Sequence, residues 1–215
     1  MDLTAQRQPD QQPEASRTSK ILALFDFDGT ITHKDTLVEY ISFFCTQQKW
    51  KYLNSLLYFP LWFCNRLGLI SNQRTRRELI RIYLKGTHIN TISAIASEFA
   101  KQKLPELLNQ KALEKLQWHQ EQGHHVVVVT PTLGWWVRTW AHQQDITVIA
   151  TELAVDEHGY CTGKLLNKYC TGSEKVRRIR AALRLNEYSY IYAYGDSRGD
   201  RQMLSLADES YYKKF

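Results

Sequence analysis

Ile21-Leu22-Ala23-Leu24-Phe25-Asp26-Phe27-Asp28-Gly29-Thr30 is an apolar run of strand length that ends in two carboxylates and a glycine. Side chains two apart on an extended segment point the same way, so Asp26 and Asp28 leave the strand together. So paired, one carboxylate can attack phosphorus while the other handles the proton of the leaving oxygen. Gly29 lets the backbone turn tightly, and Thr30 can hold the turn. Taken alone, the segment describes a strand closing in an acidic turn equally well, so the rest of the chain must decide.

Three further pieces follow in order. Val126-Val127-Val128-Val129 is a second apolar run, ending in Thr130; Gly172-Ser173-Glu174-Lys175 opens a basic helical segment; and Ser189 to Tyr194 runs into Gly195-Asp196-Ser197-Arg198-Gly199-Asp200. The segments 21–26, 125–130 and 189–194 all deliver polar residues at their C-terminal ends, the edge where open α/β sheets bind ligands. Ile146 to Ala150 supplies a fourth strand. The expected fold class is α/β, a doubly wound, Rossmann-like parallel sheet.

These four pieces resemble the motifs of the haloacid dehalogenase superfamily of phosphatases and phosphotransferases over about residues 21–215. The likeness is greatest to the subfamily that contains phosphoserine phosphatase, where a helical cap lies between the first and second motifs. The wording Asn167-Lys168-Tyr169-Cys170 through Arg178 most resembles a branch of bacterial hydrolases with largely undefined substrates. The resemblance implies a nucleophile at Asp26, forming an aspartyl-phosphate, and an acid and base at Asp28. It implies a phosphate-binding hydroxyl at Thr130, a fixed positive charge at Lys175, and Mg²⁺ held by Asp26, the Asp28 carbonyl and Asp196, with Asp200 in support. Mg²⁺ suits such a site because one or two carboxylates, a phosphate oxygen and waters complete its shell. A phosphotransferase would share these motifs, and so would a non-catalytic anion- or membrane-binding protein that kept the fold.

The 215 residues suffice for one domain with an insertion, and 43% apolar content supplies a core. The expected division is a tail over 1–19, a core over 20–33 and 121–215, and a helical cap over 34–120. The tail is polar, rich in Gln and Pro, and has no apolar segment of signal-peptide type. Cys45, Cys64, Cys161 and Cys170 show no Cys-x-x-Cys spacing, which makes a reducing cytoplasm the expected location. A net charge of +6 favours anions in general, but no recognition motif accompanies it, and nucleic acid is not an expected partner. The expected partner is a phosphorylated small molecule or a lipid phosphate.

Within the insertion, Ser71 reads as the cap of a helix bearing Leu79, Ile82 and Tyr83, with Gly86 to end it. Asn90 reads as the cap of the next, and Pro105 fits the first turn of another. Tyr52 to Cys64 is too short to span a bilayer, and reads either as a buried helix kinked at Pro60 or as an interfacial segment giving peripheral membrane contact. Arg74, Arg77 and Arg81 share a helix face that either meets an anionic substrate or is simply solvated. Asp35 falls where phosphoserine phosphatase has a glutamate that contacts the substrate's amino group, and no cap arginine matches securely. Lys164, Arg177, Arg178 and Arg180 read as surface, and His124 and His125 as loop or core residues. Segment 151–166 reads as a β-hairpin flap beside the site.

Overall fold

The computed structural model describes residues 20–48 and 71–215; the expectations for the tail and for Tyr52 to Cys64 fall outside them. The apolar runs form a five-stranded sheet in the order β3-β2-β1-β6-β7, parallel at every pairing. β1 (Lys20–Phe25) lies at its centre, between β2 (His125–Leu133) and β6 (Tyr188–Gly195). β3 (Thr147–Thr151) and β7 (Glu209–Tyr212) form the edges.

The absence of polar alternation in these runs has a direct cause: the sheet is covered on both faces. Leu22, Leu24, Val127, Val129 and Ala193 point to one side, against Ile179 of α6 (Ser173–Ala182) and Met203 of α7 (Arg201–Leu204). Ala23, Phe25, Val126, Val128 and Tyr194 point to the other, with Leu116 of α4 (Gln110–Glu121) and Trp136 of α5 (Gly134–Ala141). The insertion between β1 and β2 also contributes α1 (Thr36–Gln47), α2 (Asn72–Tyr83) and α3 (Ile89–Gln102). Tyr40 of α1 stacks on Trp136 with ring centroids 4.5 Å apart, and Phe99 of α3 meets both rings edge-on. That aromatic cluster seats the inserted helices on the core.

Ser71 caps α2 by accepting from the Arg74 N–H, as the sequence predicts. For α3 the cap is His88 rather than Asn90. The helix begins earlier because the Ile89 N–H is held by Gly159 O at 2.8 Å, and His88 Nδ1 then accepts from the Asn90 N–H. Pro105 sits in a short 3₁₀ turn, Leu104–Leu107. β4 (Leu153–Val155) and β5 (Cys161–Leu165) form the predicted hairpin. It is not a free flap. Backbone bonds Gly86 N–H to Cys161 O, Cys161 N–H to Thr87 O and Ile89 N–H to Gly159 O stitch it to the loop after α2.

His119 of α4 is wholly buried beneath the sheet, between Tyr194 OH (2.9 Å from Nε2) and His124 Nδ1 (2.7 Å from Nδ1). Burial, with Lys115 and His124 adding to it, pushes His119 down to about 3. Between that value and about 6.5 the unfolded chain binds a proton that the native chain refuses, so stability falls as pH drops through this range. The expected loss is about 1.4 kcal/mol per pH unit between pH 6 and 5 from this one group. Denaturant midpoints across that range should fall less steeply in His119→Gln; an equal slope would locate the pH dependence elsewhere.

Candidate active site

β1 and β6 end side by side, and the Asp26 N–H donates to Tyr194 O at 2.9 Å. Asp26 therefore leaves the sheet next to Gly195 and Asp196. Lys175, on the first turn of α6, is completely buried and donates to Asp26 Oδ1 and to Asp200 Oδ1, each at 2.5 Å. Asp200 spends its other oxygen on the Ser197 N–H at 2.9 Å and hydroxyl at 2.6 Å. Carboxylate oxygens of Asp26, Asp196 and Asp200 lie within 4.8 Å of one another, and Asp196 Oδ1 is buried with no hydrogen-bond partner. Gly29 is required here. Its φ is +83°, and a Cβ would stand 2.5 Å from Asp196 Oδ2.

The electrostatics follow from this crowding. Burial pushes Asp26 up to about 7, with Lys175 opposing and Asp200 reinforcing the push. Burial also raises Asp196, helped by Asp200. Asp200 resists burial because Lys175 and the Ser197 donors hold it below the usual carboxylate range. Burial alone would lower Lys175, but the two aspartates outweigh it and keep it charged. Among the described residues, Asp26, Asp196 and Asp200 outnumber the buried lysine between them, Lys175. An orphaned carboxylate oxygen among three hard oxygen donors fits a small divalent cation, Mg²⁺ above all.

Asp28, two residues beyond Asp26, accepts on Oδ1 from the Thr36 N–H at 3.0 Å and the Thr36 hydroxyl at 2.6 Å. Its Oδ2 faces Arg76 Nη2 at 3.2 Å. Arg76 also donates to Asp35 at 2.5 Å and leaves its buried Nη1 without a partner. Burial pushes Asp28 up to about 6, with Asp35 adding to the shift and Arg76 opposing it. Asp26, Asp28, Asp35, Arg76, Tyr169 and Asp196 all line one cleft of about 750 Å³. Thr130 is fully buried below it, where its oxygen accepts the Thr132 N–H; the cleft wall starts at Pro131.

Among the arginines of α2, Arg76 reaches the cleft, whereas Arg74, Arg77 and Arg81 do not line it. Arg74 is exposed, Arg77 lies over the Tyr169 ring, and Arg81 pairs with Glu78. A sequence signal for Arg76 exists: it precedes Leu79, Ile80 and Tyr83 by three, four and seven residues, so it stands on the buried stripe. Thr36, Trp136 and Tyr169 carried no comparable signal. Arg178 is also not a free surface residue, since it donates to Ala150 O at 2.5 Å, Lys168 O at 2.7 Å and Glu174 at 2.9 Å.

The sequence profile of haloacid dehalogenase-like hydrolases matches residues 23–205. The chain belongs to this family. Protein CicA of Caulobacter vibrioides is 30% identical to this chain over 200 residues, covering 91% of this chain and 86% of its own. A Bordetella pertussis Tohama I protein of unknown function has the same fold, with a TM-score of 0.78 at 20% identity over 90% of this chain and 89% of that one. A substrate-bound phosphoserine phosphatase superposes with a TM-score of 0.64 at 17% identity, over 91% and 86%.

Proposed function

We propose that this haloacid dehalogenase-like chain is a Mg²⁺-dependent phosphomonoester phosphatase, acting on the phosphate of a small or amphiphilic alcohol. The observation that carries the reading is the buried Asp26–Lys175–Asp200 arrangement at the joined ends of β1 and β6, with Asp28 beside it. Asp26 is the nucleophile. Lys175 takes its Oδ1, which leaves Oδ2 to bond phosphorus while the ester P–O bond breaks. Asp28 gives its proton to the departing alkoxide, then takes one from the water that hydrolyses the aspartyl-phosphate to free phosphate and Asp26. Thr130, fully buried below the cleft with its oxygen accepting from Thr132, would meet a phosphate oxygen with its hydroxyl proton only where the phosphate passes below the Pro131 wall.

Asp26, Asp196 and the Asp28 carbonyl are the residues that would hold Mg²⁺. Asp200, with Oδ1 on Lys175 and Oδ2 on Ser197, supports from outside the shell. When bound, the ion screens the phosphate dianion from the aspartates and stabilises charge on its oxygens. A 750 Å³ cleft lies within the range of small-molecule sites. Arg76 and Asp35 stand where the alcohol part would lie; phosphoserine, the substrate of enzymes sharing the fold, is one compound to try. The described cysteines Cys45, Cys161 and Cys170 are free and buried, consistent with a cytoplasmic enzyme. No helix among the described residues is long and apolar enough to cross a membrane.

The test is phosphate release from 4-nitrophenyl phosphate and from a panel including phosphoserine and a lipid phosphate, with Mg²⁺ and with chelator. Activity is expected with Mg²⁺ alone; full activity in chelator would remove the metal from the reading. Added Mg²⁺ should also raise the melting temperature, because an ion bound only by the folded state stabilises it. Asp196→Ala should raise the Mg²⁺ concentration needed for half-maximal activity more than Asp200→Ala does. Equal effects would erase the division between ligand and support.

A further inference from the structure

Asp28 Oδ1 takes both of its hydrogen bonds from one residue, Thr36, at the first position of α1. The Thr36 hydroxyl oxygen is itself 3.0 Å from Trp136 Nε1. An indole nitrogen only donates, so this oxygen accepts from Trp136 and its single proton is directed to Asp28. Thr132 Oγ1, at 3.5 Å, is the more distant neighbour. Thr36, Thr132 and Trp136 are all completely buried, and Trp136 is locked by its stack on Tyr40. Packing, not solvent, sets the direction of the chain Trp136 to Thr36 to Asp28. The Thr36 N–H is also one of the helix N-terminal donors that α1 cannot satisfy internally, which ties the carboxylate to the position of that helix.

We propose that Thr36, oriented by Trp136, is the positioning residue for Asp28: it pins Oδ1 against α1 and so turns Oδ2, which faces Arg76 Nη2 at 3.2 Å, toward the cleft and the leaving oxygen. The single contact from Arg76 to Oδ2 leaves the carboxylate able to pivot, so Thr36 supplies its second fixed point, and misplacement of a proton donor costs rate most where the leaving group is most basic. This inference rests on the reading of Asp28 as the proton donor.

The experiment compares kcat/KM for phenyl phosphate with that for 4-nitrophenyl phosphate, two esters of similar shape whose leaving groups differ in basicity. Thr36→Val deletes the hydroxyl bond at constant volume, and the ratio of phenyl to 4-nitrophenyl turnover is expected to fall at least fivefold. Thr36→Ser should restore it. The double variant Thr36→Val/Trp136→Phe leaves no indole donor without an acceptor and should show the same fall; it decides the matter where the single variant does not fold. A fall of less than fivefold would overturn the proposal. Asp28→Asn is the control. Should it leave the ratio unchanged, the proton-donor reading fails; should it collapse the ratio while the Thr36 variants do not, only the role of Thr36 is lost.

Discussion

Asp26→Asn is expected to abolish turnover, by on the order of 10⁴-fold or more, as removal of a nucleophile does in enzymes with covalent intermediates. The fold should survive. Asparagine keeps the volume and an oxygen that can accept from Lys175, and the backbone bond from residue 26 to Tyr194 O is untouched. Circular dichroism and the denaturant midpoint check the fold, and acid quenching after reaction with a radiolabelled phosphate ester checks for the acyl-phosphate. No label should be trapped. Turnover within tenfold of the unmodified chain would overturn the assignment of the nucleophile.

Lys175→Met is expected to cost both activity and about 3–5 kcal/mol of stability, the penalty for deleting one partner of a buried ionic group. Lys175 has no exposed surface, and its loss leaves Asp26 and Asp200, both nearly inaccessible, facing each other without a counter-charge. Mg²⁺ should recover part of the stability, since it brings positive charge to the same carboxylates. Urea unfolding with and without the ion measures both effects. A loss under about 1 kcal/mol would mean that the pair contributes little to holding α6 on the sheet, as weakly coupled surface pairs do.

The strands could be read directly because each is a local event: an apolar run buried on both faces, stopped by polar residues at one end. β7 has no such local signature. Glu209-Ser-Tyr-Tyr212 is short and half polar, and it becomes a strand through pairing with β6 and the stack of Tyr211 on Tyr194. Asp26 and Asp196 are legible because they directly follow β1 and β6, and Asp28 and Asp200 because they keep the motif spacing from them. Arg76 is less legible, because Arg74, Arg77 and Arg81 form the obvious basic face, while the arginine that lines the cleft shares the stripe of Leu79, Ile80 and Tyr83. Thr36 and Trp136 are a hundred residues apart, and neither has a chemical oddity that spacing could reveal. Their link exists only once α1 lies against α5.

The central place of β1 has a consequence for how the protein is made. Ile21 to Phe25 is synthesised before both strands that flank it, so one of its edges stays open until β2 arrives, and the other until β6 follows much later. Until β6 is made, this segment presents unpaired backbone and bare side chains, the kind of segment that recruits other nascent chains. Lys175 and Asp200 also emerge late, so the charge balance around Asp26 is established in the closing steps of folding. The enzyme would therefore acquire its chemistry and its protection from aggregation in the same event.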